Sequence, residues 1–270
     1  MAAEGCRIAS GAVAGGVVGP CRNLAVVTVD NLTVSYRQHP ALHHISGQFV
    51  TGALTAVIGP NGSGKSTLLK SIAGLQEPAG GCVRTDTPPD RIAYLPQQTG
   101  VDRSFPLQVR DCVLLGCWNA TGAFGGTNAD KLSRADTAIH TVGLAGFEGR
   151  SLGSLSSGQF QRVLFARLLM QDADLILLDE PFNAMDSRTT AALIDLIHQW
   201  QTQGRTVIAV LHDETQVRAH FDQTVLLARE LVAWGPTMQV LTASHLQRAR
   251  TLAEAWDDNA AICHTDEIAA

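Results

Sequence analysis

A chain of 270 residues with 45% apolar and 17% charged side chains has ordinary globular composition and enough length for one large α/β domain or two modest ones. Its 20 basic and 25 acidic side chains leave a formal net charge of −5, which provides no electrostatic footprint for a phosphate backbone and argues against a nucleic-acid partner. No run of about 18 apolar residues is present, so the chain is not expected to cross a membrane.

Residues 1–24 are rich in Ala, Gly and Val, and only Arg7 precedes their mild apolar stretch Val13–Val18. That is too little for a signal peptide, and a disordered extension is expected. The six cysteines (Cys6, Cys21, Cys82, Cys112, Cys117, Cys263) form no CxxC pair and have no histidine at zinc-ligand spacing. They read as free thiols in a reducing cytoplasm. Apolar runs that fit buried strands follow at Leu24–Val29, Leu54–Ile58, Leu175–Leu178, Val207–Leu211 and Val225–Leu227. Helical periodicity puts Leu68, Leu69, Ile72 and Leu75 on one face of Lys65–Leu75, and Leu193, Leu196, Ile197 and Trp200 on one face of Thr189–Gln203. Strands alternating with helices imply a mostly parallel α/β core. Between about residues 98 and 170 strand-like runs are lacking, glycines cluster at Gly122–Gly126, and helical stretches lie around Val109–Trp118 and Asp130–Val142. A helical insertion in the core is expected there.

The segment Gly59-Pro60-Asn61-Gly62-Ser63-Gly64-Lys65-Ser66, followed by Thr67, matches G-x-x-x-x-G-K-S/T directly after a strand and before a helix. Its glycines let backbone N–H groups turn inward around an anion, the helix adds its positive end, Lys65 reaches the β- and γ-phosphates, and Ser66 can ligate Mg²⁺. In LILLDE, Asp179 and Glu180 stand at the carboxyl end of a strand, where ligands bind in parallel sheets. Asp179 can hold Mg²⁺ through water, and Glu180 can act as general base on the attacking water.

Leu155–Arg162 reads LSSGQFQR and opens an apolar-periodic helix that runs through Leu168. It resembles the LSGGQ signature of ATP-binding-cassette (ABC) ATPases, with Ser157 in place of the first glycine. Ser157 is small enough for the turn and able to cap the helix. The resemblance covers about residues 25–241. It implies a P-loop NTPase core with a mostly parallel sheet, an antiparallel β subdomain and a helical subdomain at about 98–170, leaving 242–270 as a C-terminal helix and tail. It further implies ATP and Mg²⁺ as ligands. Tyr36 would stack on adenine, Gln97 in YLPQ would sense Mg²⁺ and the γ-phosphate, Asp186 in PFNAMD would lie in a dimer-spanning loop, and His212 would contact the γ-phosphate. Ser156, Ser157, Gly158 and Gln159 of one copy would close over the phosphates held by a second copy, giving an ATP-dependent homodimer.

With one cassette and no span, the resemblance implies an importer ATPase, peripheral at the cytoplasmic face of the inner membrane on a multi-span permease. An extracytoplasmic metal-binding protein would be an indirect partner. Val101–Gly116 (VDRSFPLQVRDCVLLG) and the stretch VLHDETQVRAHF resemble ATPases of zinc and manganese uptake, so zinc is the first expectation for cargo and manganese the second. Phe105 and Pro106 fall where such a permease would dock. The alternatives are another solute, a soluble ABC protein acting on ribosomes or DNA, and a module that binds nucleotide without hydrolysis. Lys65, Glu180 and His212 argue against the last.

Overall fold

The computed structural model describes residues 25–36, 39–97, 103, 105–118, 126–183 and 185–254. The extension expected at 1–24, the glycine cluster up to Gly125, Val101, Asp102 and the tail beyond Glu254 lie outside them.

Two sheets divide the strands. β1 (Ala25–Tyr36), β2 (His39–Val50) and β4 (Gly80–Thr85) form an antiparallel sheet in the order β2-β1-β4. β3 (Leu54–Ile58), β5 (Ile92–Leu95), β6 (Leu175–Asp179), β7 (Thr206–Val210), β8 (Gln223–Ala228) and β9 (Glu230–Pro236) form a six-stranded sheet in the order β5-β6-β7-β3-β8-β9. The first five of these run parallel, and β9 closes the edge antiparallel to β8. β3, β6 and β7 are buried at every position, which is why they read as continuous apolar runs.

β2, β4, β5 and β9 are strands that apolar runs do not reveal. In β2 the buried Leu42, Ile45 and Phe49 are spaced by three and four residues, because the β1–β2 register shifts at several bulges and breaks the two-residue period. β5 has only four residues, and β9 ends in Gly235-Pro236.

The described helices include α1 (Lys65–Ile72), α2 (Val109–Leu114), α3 (Ala129–Thr141), α4 (Ser157–Gln171), α5 (Ser187–Thr202) and α6 (Glu214–His220). α7 (Ala243–Glu254) follows near the end of the described chain. The expected helix Lys65–Leu75 stops early because Gly74 takes φ 70 and leaves Leu75 65% exposed. Similarly, Val109–Trp118 is a six-residue α-helix continued by a 3₁₀ turn at Leu115–Cys117. α4 outruns its expected end at Leu168 by three residues. Leu68, Leu69 and Ile72 of α1 enter a core with Val57, Leu177, Ile208 and Val210. Each such burial stabilises the fold by about 1.5–3 kcal/mol, and this anchors the helix whose N-terminus the site uses. α2, α3 and α4 pack together through Val113, Ile139 and Phe165, all fully buried. No helix among the described residues is long and apolar enough to cross a membrane.

Candidate functional site

The loop between β3 and α1 crosses the carboxyl ends of the parallel strands, and at two of its glycines there is no room for a side chain. At Gly59 (φ 151) a Cβ would sit 1.9 Å from the Leu227 carbonyl oxygen; at Gly64 (φ 90) it would sit 2.3 Å from that of Ala41. Gly64 caps α1 without any side-chain hydrogen bond, so the first-turn N–H groups face a cavity of about 680 Å³. Asn61 to Thr67 line one wall, and Gln97, Glu180, Asn183 and His212 stand opposite. Gly59 and Pro60 lie outside the lining, but their carbonyls accept from Lys65 Nζ at 2.9 and 2.8 Å. Burial of Lys65, only 5% exposed, lowers its pKa against the opposing charges of Glu180 and Asp179. The β8–β9 corner braces the loop from behind, where Arg229 N–H donates to the Ser63 carbonyl at 3.0 Å.

Asp179 ends β6 and is 1% exposed. Burial raises its pKa, and a hydrogen bond from Ser66 Oγ to Oδ1, 3.0 Å, pulls the other way. Tyr94 OH donates to Oδ2 at 3.4 Å, and its own pKa is raised, first by burial and then by Asp179. The next residue, Glu180, adopts φ 51, a left-handed conformation that costs a non-glycine residue about 1–3 kcal/mol and clusters at functional sites. Its backbone N–H donates to the Val210 carbonyl at 3.2 Å, which ties the turn to β7. Three side chains converge on its carboxylate: His212 Nε2 lies 2.6 Å from Oε1, while Gln97 Nε2 and Asn183 Nδ2 donate to Oε2 at 2.6 and 3.2 Å. Gln97 was expected with Ser66 and Asp179 around Mg²⁺; here it lines the same cavity but bonds Glu180 instead.

These groups fit a magnesium nucleotide. A glycine cradle opens on helix N–H groups, the Ser66 and Asp179 oxygens are the hard ligands Mg²⁺ takes, and buried Ser63 Oγ has no hydrogen-bond partner among the described residues.

The signature segment is elsewhere. Ser156, not Ser157, caps α4: its Oγ accepts from Gln159 N–H at 3.2 Å, and Gln159 Oε1 accepts from Ser156 N–H at 2.9 Å. Ser157 is the first helical residue, so the cap lies one position earlier than expected. Both serines are exposed, Gly158 and Gln159 are half-buried, and none of the four lines the cavity. Arg103 donates to the Leu155 carbonyl, and its guanidinium lies 5.1 Å from the Phe160 ring centre, which fastens Arg103 to the start of α4. Asp186 caps α5 by accepting from Thr189 N–H at 2.9 Å, a bond that lowers its pKa. Tyr36 ends β1, 43% exposed and outside the cavity lining. Asn183 and Tyr94 were not singled out from the sequence. Both lie inside quoted motifs, PFNAMD and YLPQ, but neither residue type signals its contact.

The fold and the loop together define a P-loop nucleotide-binding α/β protein. Residues 42–183 match the family model described as ABC transporter, and the zinc transport system ATP-binding protein TroB of Treponema pallidum is 41% identical over 83% of this chain and 86% of its own. The manganese transport system ATP-binding protein MntB of Listeria innocua is 40% identical over 83% and 95%. A solved transporter of metal-chelate ABC type, in an inward-facing conformation, superposes with a TM-score of 0.75 at 29% identity over 84% of this chain and 90% of its own. The chain belongs to the ABC transporter family as an ATP-binding cassette, an enzyme that hydrolyses ATP with Mg²⁺.

Proposed function

We propose that this cassette powers import of a divalent transition metal, zinc first and manganese second, at the cytoplasmic face of the inner membrane. The observation that carries the reading is the identity of about 40%, across most of both chains, with ATP-binding proteins named for zinc and manganese transport. Phe105, 62% exposed, and exposed Pro106 support docking of a multi-span permease beside the signature helix. An extracytoplasmic metal-binding protein would deliver the cargo, which need not touch this chain.

In the mechanism we assign, the Asn61–Thr67 loop and Lys65 hold the phosphates, and Ser66, Asp179 and Gln97 hold Mg²⁺. The metal, when bound, neutralises charge on the β- and γ-phosphates. Glu180 takes a proton from the attacking water as general base, and His212, 2.6 Å away, orients the carboxylate and reaches the γ-phosphate. Tyr36 stacks on adenine. Ser156, Ser157, Gly158 and Gln159 complete the site of a second copy, with Asp186 in the loop between copies, so ATP drives homodimerisation.

The test is uptake by the complex reconstituted with its permease in vesicles containing ATP. Zinc or manganese is expected to accumulate, and to stop doing so with Glu180→Gln. Accumulation of a sugar, an amino acid or an iron chelate with neither metal would overturn the cargo and leave the ATPase intact.

A further inference from the structure

Asn183 has no part in the mechanism just given, yet it is bonded to Glu180 twice. Its side-chain Nδ2 donates to Glu180 Oε2 at 3.2 Å, and its backbone N–H donates to the Glu180 carbonyl at 3.3 Å. The side chain is exposed and lines the phosphate cavity. A reversed amide would set Oδ1 against a carboxylate oxygen, so electrostatics favours the nitrogen facing Glu180.

The three donors around Glu180 differ in what else they must do. Gln97 follows β5 and His212 follows β7, so each sits on a different strand end from Glu180. In the proposed mechanism Gln97 has Mg²⁺ to hold, and His212 has the γ-phosphate to reach besides orienting the carboxylate. Asn183 is on the same turn as Glu180, three residues on, and its backbone bond to the Glu180 carbonyl ties the two together. Once Gln97 leaves Oε2, the Asn183 amide is the remaining one of these two donors to that oxygen. Aim matters here, because a general base must come within about 2.6–3.2 Å of its proton donor, and a misplacement of about 1 Å can cost about 10²-fold in rate.

We infer that Asn183 is a positioning residue, whose amide holds Glu180 Oε2 so that the carboxylate stays aimed at the attacking water while Gln97 and His212 engage the nucleotide. The inference rests on Glu180 being the base.

A double-mutant cycle on the full chain tests it, reading steady-state and single-turnover ATP hydrolysis for the unaltered protein, Asn183→Ala, Glu180→Gln and the pair. Asn183→Ala should lower kcat about tenfold with KM for ATP within about twofold, and should cost less than about twofold once Glu180 is Gln. Asn183→Asp keeps the shape but loses the donor, and should fall at least as far as Asn183→Ala; a packing role would instead be rescued by it. Equal losses in both backgrounds, a change confined to KM, or rescue by Asp would each overturn the positioning role while leaving Glu180 as base. If Glu180→Gln alone kept hydrolysis within about threefold, the base assignment would fall and this role with it.

Discussion

Around the phosphate cavity, polar groups are held by other elements of the same chain: Lys65 by loop carbonyls, Asp179 by α1 and β5, Glu180 by residues following β5, β6 and β7. At the start of α4 the arrangement is the reverse, since the Ser156 and Gln159 side chains each accept from the other residue's backbone N–H at an exposed helix N-terminus. One region has its geometry set by contacts from several elements; the other is an exposed, locally capped helix start outside the cavity lining, which the proposed mechanism assigns to a second copy. Variants in the cavity should therefore act on binding or chemistry within one copy, and variants at the signature should act on the pairing of copies.

Glu180→Gln should break the cavity side hardest. It removes the proposed base but leaves the phosphate loop untouched, so turnover should drop at least about 10²-fold with ATP affinity within about threefold. Steady-state hydrolysis and nucleotide titration of one preparation decide this, and hydrolysis within about threefold of the unaltered protein would remove Glu180 from the role. Lys65→Ala should act on affinity instead. Losing a charge-assisted bond worth about 1.5–3 kcal/mol should weaken Mg-ATP binding by roughly 10- to 150-fold, and undiminished binding would show that the ammonium does not hold phosphate.

The signature side is probed by Ser156→Arg in the Glu180→Gln background. ATP should shift the Glu180→Gln protein from monomer to dimer in a sizing experiment. Ser156→Arg should abolish the shift with affinity within about threefold, because the bulk falls on an exposed turn outside the cavity. A dimer that survives this substitution would mean that the copies do not meet at the signature.

Legibility in the sequence follows the same division. The parallel core was readable because β3, β6 and β7 are buried on both faces and so run continuously apolar. Lys65, Ser66, Asp179 and Glu180 were readable as candidates because phosphate and Mg²⁺ demand particular residue types, the first two at the start of the helix after β3 and the last two at the end of β6. β2 was hidden by its bulges, and the Ser156 cap was displaced by one position because Ser156 and Ser157 are equally able to cap by composition. The Asn183 and Gln97 bonds to Glu180 were hidden for a different reason. They depend on how separate strand ends and one turn converge in space, and amide side chains carry no residue-type signal for such a contact.

Tyr36 should give the smallest effect, and it tests how far the cavity extends. It closes β1 in the antiparallel sheet, paired with His39, while most of the cavity lining comes from the β3–α1 loop and from residues that follow β5, β6 and β7 of the other sheet. If the ring stacks on adenine, its loss should remove a contact of about 1–3 kcal/mol. For a ring already 43% exposed the lower end applies, which corresponds to about fivefold in affinity. Tyr36→Ala should therefore weaken ATP binding about fivefold, and Tyr36→Phe, which keeps the π face, less than about twofold. Inorganic triphosphate separates the explanations, since it engages the loop without a base. Its affinity should be unchanged in Tyr36→Ala. Equal weakening of ATP and triphosphate would place the effect in the packing of β1 against the rest of the fold, and would confine the site to the phosphate groups.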